Sequence, residues 1–194
     1  MTQRAPSLAL LALTCLAGCT IGDRELALPN PAHGHVGHDL GYVAVLSGEM
    51  PEPIDQVSRH AWIIVHVPGE ESLERCELLG SGSCGPTTEP FHYFGTGDVR
   101  LHALIKTKQA RTVVDCLHEK TKSYNDDHPD YFPIPGSNSN TYVDTMLRRC
   151  DLHVDLPTTA IGKDYRGVVG VSRTSGGTGV QFESVIVGLR LGLT

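Results

Sequence analysis

Six cysteines among 194 residues constrain this chain most, because their meaning depends on the compartment. An oxidising one turns them into cross-links, and a reducing one leaves them as thiols. Cys15 and Cys19 lie near the start; Cys76, Cys84, Cys116 and Cys150 lie in the body of the chain. The N-terminus indicates which case applies. Arg4 precedes an apolar run from Ala5 to Leu16, too short for a membrane span, which takes about 20 apolar residues. Small residues end it, an order that describes a secretory signal. In an oxidising space the four body cysteines favour two disulfides, with three pairings available. We expect Cys76–Cys84 to close a short loop and Cys116–Cys150 to tie two helices. No Cys-x-x-Cys occurs, so a redox or zinc-ribbon site is unsupported.

The run ends in Leu16-Ala17-Gly18-Cys19, which resembles the lipobox of bacterial lipoproteins. The resemblance implies cleavage before Cys19, with lipid on its thiol and new amino group. Thr20 follows rather than Asp, from which the same resemblance implies the outer membrane, facing the periplasm, as the expected location. Several acyl chains anchor stably where one is marginal. The expected plan is a signal peptide over 1–18, a lipidated tether over 19–40 and one globular domain over 41–194. Its expected partners are the membrane, through the lipid, and an envelope ligand of unknown identity.

Composition narrows the classes further. The chain is 40% hydrophobic and 20% charged, enough apolar matter for a sizeable core. A net charge of −6 argues against a nucleic-acid binder that works by neutralising phosphates. His33, His35 and His38 are close enough to share a zinc or copper ion. They sit in a Pro- and Gly-containing stretch, where His-x-His-x-x-His is a weak signal without a set of carboxylate or Cys ligands at fixed spacing, so a polar linker is the better reading and no cofactor is expected.

The pattern along the body predicts an α+β fold, a small antiparallel sheet packed with two helices. Strands are expected at 41–47, 59–67, 73–79 and 99–105. In the second, Trp62 and Ile64 would share one face and Ile63 and Val65 the other. Pro68-Gly69 suggests a hairpin to the third strand, and Gly80 to Gly85 reads as a Gly/Ser loop. A helix is expected over 107–124, capped by Thr107, with Ala110, Val113, Val114 and Leu117 on one face. A second is expected over 140–149, with Arg148 and Arg149 suiting its negative end. The tail beyond Gly176 is strand-like or amphipathic.

Two runs carry a family resemblance: Pro135-Gly-Ser-Asn-Ser-Asn-Thr-Tyr-Val143 and Asp155-Leu-Pro-Thr-Thr-Ala-Ile-Gly-Lys-Asp-Tyr165. With His60-Ala-Trp-Ile63, Glu77-Leu-Leu-Gly80 and Gly177-Thr-Gly-Val-Gln181, they are similar to the bacterial family called domain of unknown function 3750, over roughly residues 57–194. That family brings no established activity. A second, more distant resemblance is to circularly permuted papain-like enzymes of the NlpC type. There a His opens a strand, a polar residue sits on the next, and a nucleophile opens a helix. The resemblance implies His60 as base, Glu77 as its orienting carboxylate and Ser139 at the nucleophile's place, where that pattern has Cys.

A nucleophile at a helix N-terminus feels the positive end of the dipole, and nearby N–H groups can receive an oxyanion. A hydroxyl is nevertheless a poorer nucleophile than a thiol. Three readings of Ser139 stay open: helix cap, part of a binding site, or nucleophile. His60 reads equally as a hydrogen-bonded strand residue and Glu77 as a solvated one. Asn138 and Asn140 are candidates for binding amide or carboxylate groups of a peptide-like ligand. Lys163, Asp164 and Tyr165 would shape a polar pocket near Ser139, or form a turn with an exposed ion pair. The function expected is a ligand-binding envelope lipoprotein, with a hydrolase or acyl transferase acting on an amide or ester as the alternative.

Overall fold

The computed structural model describes residues 40–53, 58–95, 97–128, 130–133 and 136–165, and the backbone of 169–173, 180–184 and 189–193. Cys19 and His33, His35 and His38 lie outside the described residues. Five strands form one antiparallel sheet: β1 (Gly41–Glu49), β2 (Arg59–His66), β3 (Leu73–Leu79), β4 (Ser81–Thr87) and β5 (Val99–Thr107), in the order β4-β3-β2-β1-β5. Two helices follow, α1 (Ala110–Asp127) and α2 (Ser139–Arg149). Three short strands, β6 (Val169–Arg173), β7 (Val180–Ser184) and β8 (Leu189–Leu193), form a second antiparallel sheet. The fold is the small α+β arrangement expected.

Alternation along β2 sorts the core into two layers, because successive strand side chains point to opposite faces. Ala61, Ile63 and Val65 pack with Val43, Val45, Val114, Leu117, Tyr142, Val143 and Met146 under the helices. Trp62 and Ile64 pack with Tyr42, Ala44 and Leu46 on the other face, where Phe91 and Tyr93 cover them from a loop. Trp62 and Ile64 thus share a face opposite Ile63 and Val65, as their spacing predicts. Both strands at the centre, β1 and β2, are buried along nearly their whole length, so they read as continuous apolar runs.

Both disulfides form with the expected partners, Cys76–Cys84 and Cys116–Cys150, at Cα separations of 4.1 and 5.9 Å. The first overturns one expectation. Residues 81–87 are strand β4, paired with β3 through Cys76↔Cys84. Gly80, at φ 84°, makes the tight reversal, a backbone conformation that costs glycine little. The small residues of β4 lack intrinsic strand preference, so cross-strand pairing and the cross-link decide it. Two helix starts also shift. Thr107 ends β5, and its hydroxyl accepts from the Gln109 N–H, so α1 begins at Ala110. Asn138, not Ser139, is the cap of α2: its side chain accepts from the N–H groups of Asn140 and Thr141, and Thr141 Oγ1 accepts from the Asn138 N–H. This reciprocal arrangement is a capping box.

Candidate functional site

His60 lies at the start of β2, 1% exposed. Its Nε2 is 3.0 Å from Glu77 Oε2, because the antiparallel β2–β3 register puts both on the loop-covered face. Arg75, two residues before Glu77 on that face, donates to the same carboxylate at 2.9 Å. The Arg75 guanidinium lies 4.8 Å from the Trp62 ring centre and also donates to the carbonyls of Glu89 and His92. Trp62 Nε1 donates to the Pro90 carbonyl at 2.9 Å. The loop is thereby fastened over the sheet by two side chains of the site. Gly48 belongs to the same fit: a Cβ there would run into the Tyr93 ring. Tyr93 stacks on Trp62 and Phe94 meets the His60 ring edge-on at 5.0 Å.

Electrostatics follows from this packing. Burial works to raise the Glu77 carboxyl, but hydrogen bonds from His60 and Arg75, with the Arg75 charge, outweigh it and hold the carboxyl below its ordinary range. Glu77 is therefore an anion held between two donors, and not the solvated carboxylate considered from sequence.

Ser139 is not brought to this pair. It is buried in the first turn of α2, and that helix packs on the opposite face with Ala61 and Ile63. No hydrogen bond joins Ser139 to His60 or Glu77 among the described residues. The two asparagines beside it serve as ties. Asn138 Nδ2 donates to the carbonyls of Pro133 and Ile161, and Asn140 Nδ2 to those of Arg59 and Ile161. Thr141 Oγ1 donates to the Gly162 carbonyl. The Thr-Ala-Ile-Gly-Lys-Asp-Tyr run thus runs along the start of α2. Lys163 and Asp164 are 3.7 Å apart and largely buried, which corrects the exposed-pair reading. Tyr165 lies beside Gly136, where a Cβ would meet it.

Two features were not read from the sequence. Asp144, on α2, pairs with Arg148. Burial pushes its carboxyl up to about 6, with Arg148 opposing the rise and Asp164 adding to it. The other is a second polar centre on the helix side. Buried Arg59 donates through Nε to Ser47 Oγ at 2.9 Å, through Nη1 to Glu49 at 3.0 Å, and through Nη2 to the Ser47 and Asp98 carbonyls. His102 Nε2 lies 2.7 Å from the same Ser47 hydroxyl. Burial, then the charges of Arg59 and Arg100, lower the His102 pKa. The usable signals were a Ser inside the apolar β1 run and an Arg at the head of β2.

Among the described residues no group of three or more His, Cys, Asp or Glu could hold a metal ion, and no helix is long and apolar enough to cross a membrane.

This sheet, its two helices and the run behind α2 define the class, and the sequence assigns the family. Residues 42–165 match the family described as protein of unknown function (DUF3750). That match covers more than half of the chain, which belongs to this family. It starts at β1, earlier than the resemblance read from the motifs, and stops at Tyr165. No curated protein and no solved structure matches the chain.

Proposed function

We propose that this protein is a lipid-anchored envelope protein whose domain binds a ligand without cleaving it. The observation that carries the binding reading is the separation of the two halves of the papain-like pattern. The His60 ring is committed to Glu77 on one face of the sheet, while Ser139 opens a helix on the other. A general base must reach its nucleophile at roughly 3 Å or through one water, and this base faces elsewhere. The location rests on the Leu16-Ala-Gly-Cys19 motif and is supported by the two disulfides, which persist in oxidising compartments.

The papain-like alternative keeps one observation in its favour, the His60–Glu77 pair at 3.0 Å, the base and orienting half of such a site. A broad fluorophosphonate probe separates the two readings. The wild type and Ser139→Ala are expected to label equally; labelling lost in Ser139→Ala overturns the binding reading. Globomycin is expected to block maturation, and unchanged maturation rejects the lipid anchor.

A further inference from the structure

We infer that the Ser47–His102 contact is an acid-released latch on the loop that covers the His60–Glu77 pair. The β1–β5 register creates the contact. Val45 faces Ala103 and Leu46 faces Leu101, so His102 is the extra residue of a β-bulge. A bulge re-aims a side chain and interrupts the ladder. Here it brings His102 Nε2 to 2.7 Å from the Ser47 hydroxyl. Arg59 Nε donates to that hydroxyl at 2.9 Å, and a guanidinium cannot accept. Among the described partners of Ser47 Oγ, the acceptor for its own hydrogen is therefore His102 Nε2, and the bond needs a neutral imidazole. Ser47 is 0% exposed, so water does not stand in for that acceptor. His102 is half-buried, and a proton reaches it from solvent.

From this contact the hydrogen bonds run on to the loop. Arg59 Nη2 donates to the Asp98 carbonyl at 2.5 Å, and the Glu49 N–H donates to the same carbonyl at 3.3 Å. Asp98 is the last residue before β5. Its neighbour Gly97 accepts at its carbonyl from the Tyr93 hydroxyl at 2.8 Å. Tyr93 in turn stacks on Trp62, and Phe94 meets His60. The far end of the loop thus hangs on Arg59, whereas its start is held by Arg75 and Trp62 on the carbonyls of Glu89, His92 and Pro90. His60, near that start, faces the Glu77 anion, so positive charge gained there meets its opposite. Charge gained on His102 does not.

An imidazolium has no acceptor at Nε2, so protonation strands the Ser47 hydrogen in a place closed to water. The new charge also stands against Arg59 and Arg100. The facing carboxylate, Glu49, is already bound by Arg59 at 3.0 Å and lies 3.9 Å from Arg100. An unpaired buried hydroxyl and like charges both disfavour the closed arrangement. Burial and the two cations hold the closed imidazole below its ordinary value, whereas a freed one takes its proton at about 6.5, so acid favours release. β5 is an edge strand paired with β1 alone, so its head parts without breaking the centre of the sheet. Release lifts Tyr93 and Phe94 from Trp62 and His60 and opens the His60–Glu77 pair to solvent.

Trp62 is the single tryptophan of the chain and is 0% exposed beneath the loop, so acrylamide quenching of the full chain's fluorescence reads the cover directly. Between pH 7 and pH 5 the quenching constant of the wild type is expected to rise about threefold at unchanged far-ultraviolet circular dichroism. His102→Gln, whose amide oxygen still accepts from Ser47 but takes no proton, is expected to stay flat. An equal rise in both chains, no rise in the wild type, or a rise that comes only with lost circular dichroism overturns the inference. Hydrogen exchange on the wild type alone gives a second reading, independent of how the variant folds. Protection, corrected for the intrinsic rate, should fall about tenfold at residues 97–103 and hold in β2 and both helices; a uniform fall overturns the latch. Fluorophosphonate labelling reports Ser139, so either outcome here leaves the non-cleaving reading as it stands.

Discussion

The two faces of the five-stranded sheet carry histidines in opposite electrostatic settings. On the loop-covered face His60 meets a carboxylate, Glu77, itself clamped by Arg75. On the helix side His102 meets a hydroxyl, Ser47, beside the Arg59 guanidinium. One setting gathers donors around an anion; the other crowds an imidazole with cations and keeps it neutral. The cross-links divide the same way. Cys76, Cys84 and Cys150 pack with the helix-side core and Cys116 is cross-linked to Cys150, so covalent reinforcement serves that face, while the Arg75 and Trp62 clamps serve the other. A sheet can therefore be rigid on one side while its second side is held by replaceable hydrogen bonds.

This contrast can be broken from either side. The largest effect is expected from Cys116→Ser with Cys150→Ser. Their sequence separation of 34, against 8 for Cys76–Cys84, gives a loss of about 4 kcal/mol, against about 2.5 for the shorter loop. Denaturant unfolding of the two double variants should rank them so, and a reversed order would show that chain entropy does not set their weight. Arg59→Ala comes next, at about 3 kcal/mol, since it strips partners from buried Ser47 and from Glu49 at once. The same unfolding measurement checks it, with a loss under 1 kcal/mol counting against the centre.

The third prediction addresses the loop face. Glu77→Gln should cost about 2 kcal/mol at neutral pH, the scale of hydrogen bonds to a charged group. Because the folded carboxyl titrates below its unfolded value, its contribution is present above the unfolded carboxylate range, about pH 4.3, and is lost as pH falls through the folded value. Wild type and Glu77→Gln should converge in acid; parallel pH profiles would sink the assignment. The smallest effect is expected at His102. Its folded pKa is lowered, so the unfolded chain takes up the proton first, and stability falls as pH drops below about 6.5. Wild type should lose roughly 3 °C more in Tm than His102→Gln between pH 7 and 5. Identical slopes would place the acid sensitivity elsewhere.

Much of the fold was legible because its signals are local. The alternation in Arg59–His66, the Pro68-Gly69 break and the helical spacing of Val113, Val114 and Leu117 each reflect short-range geometry. β4 was not, since Ser81-Gly-Ser-Cys-Gly-Pro-Thr87 contains no strong strand former and becomes a strand only through its partner. The His60–Glu77 pairing was legible in order along the chain, whereas the Ser47–His102 contact joins residues 55 apart and exists only once the β1–β5 register is known. Ser139 attracted notice through motif order, but the reciprocal bonds of Asn138 and Thr141 show that the cap lies one residue earlier.

The direction in which β1 runs has a practical consequence. Gly41 begins that strand next to His66 and Ala110, at one end of the sheet, and Glu49 closes it beside Arg59 at the other, about 30 Å away for nine residues. Asn140 bonds to Arg59 there. A bead, a biosensor chip or a bilayer that holds the body of the chain at Gly41 therefore grips the end remote from Asn140 and Phe132. Immobilisation on that side presents the Arg59 end of the sheet outward, and a fusion at β1's beginning leaves that end uncovered.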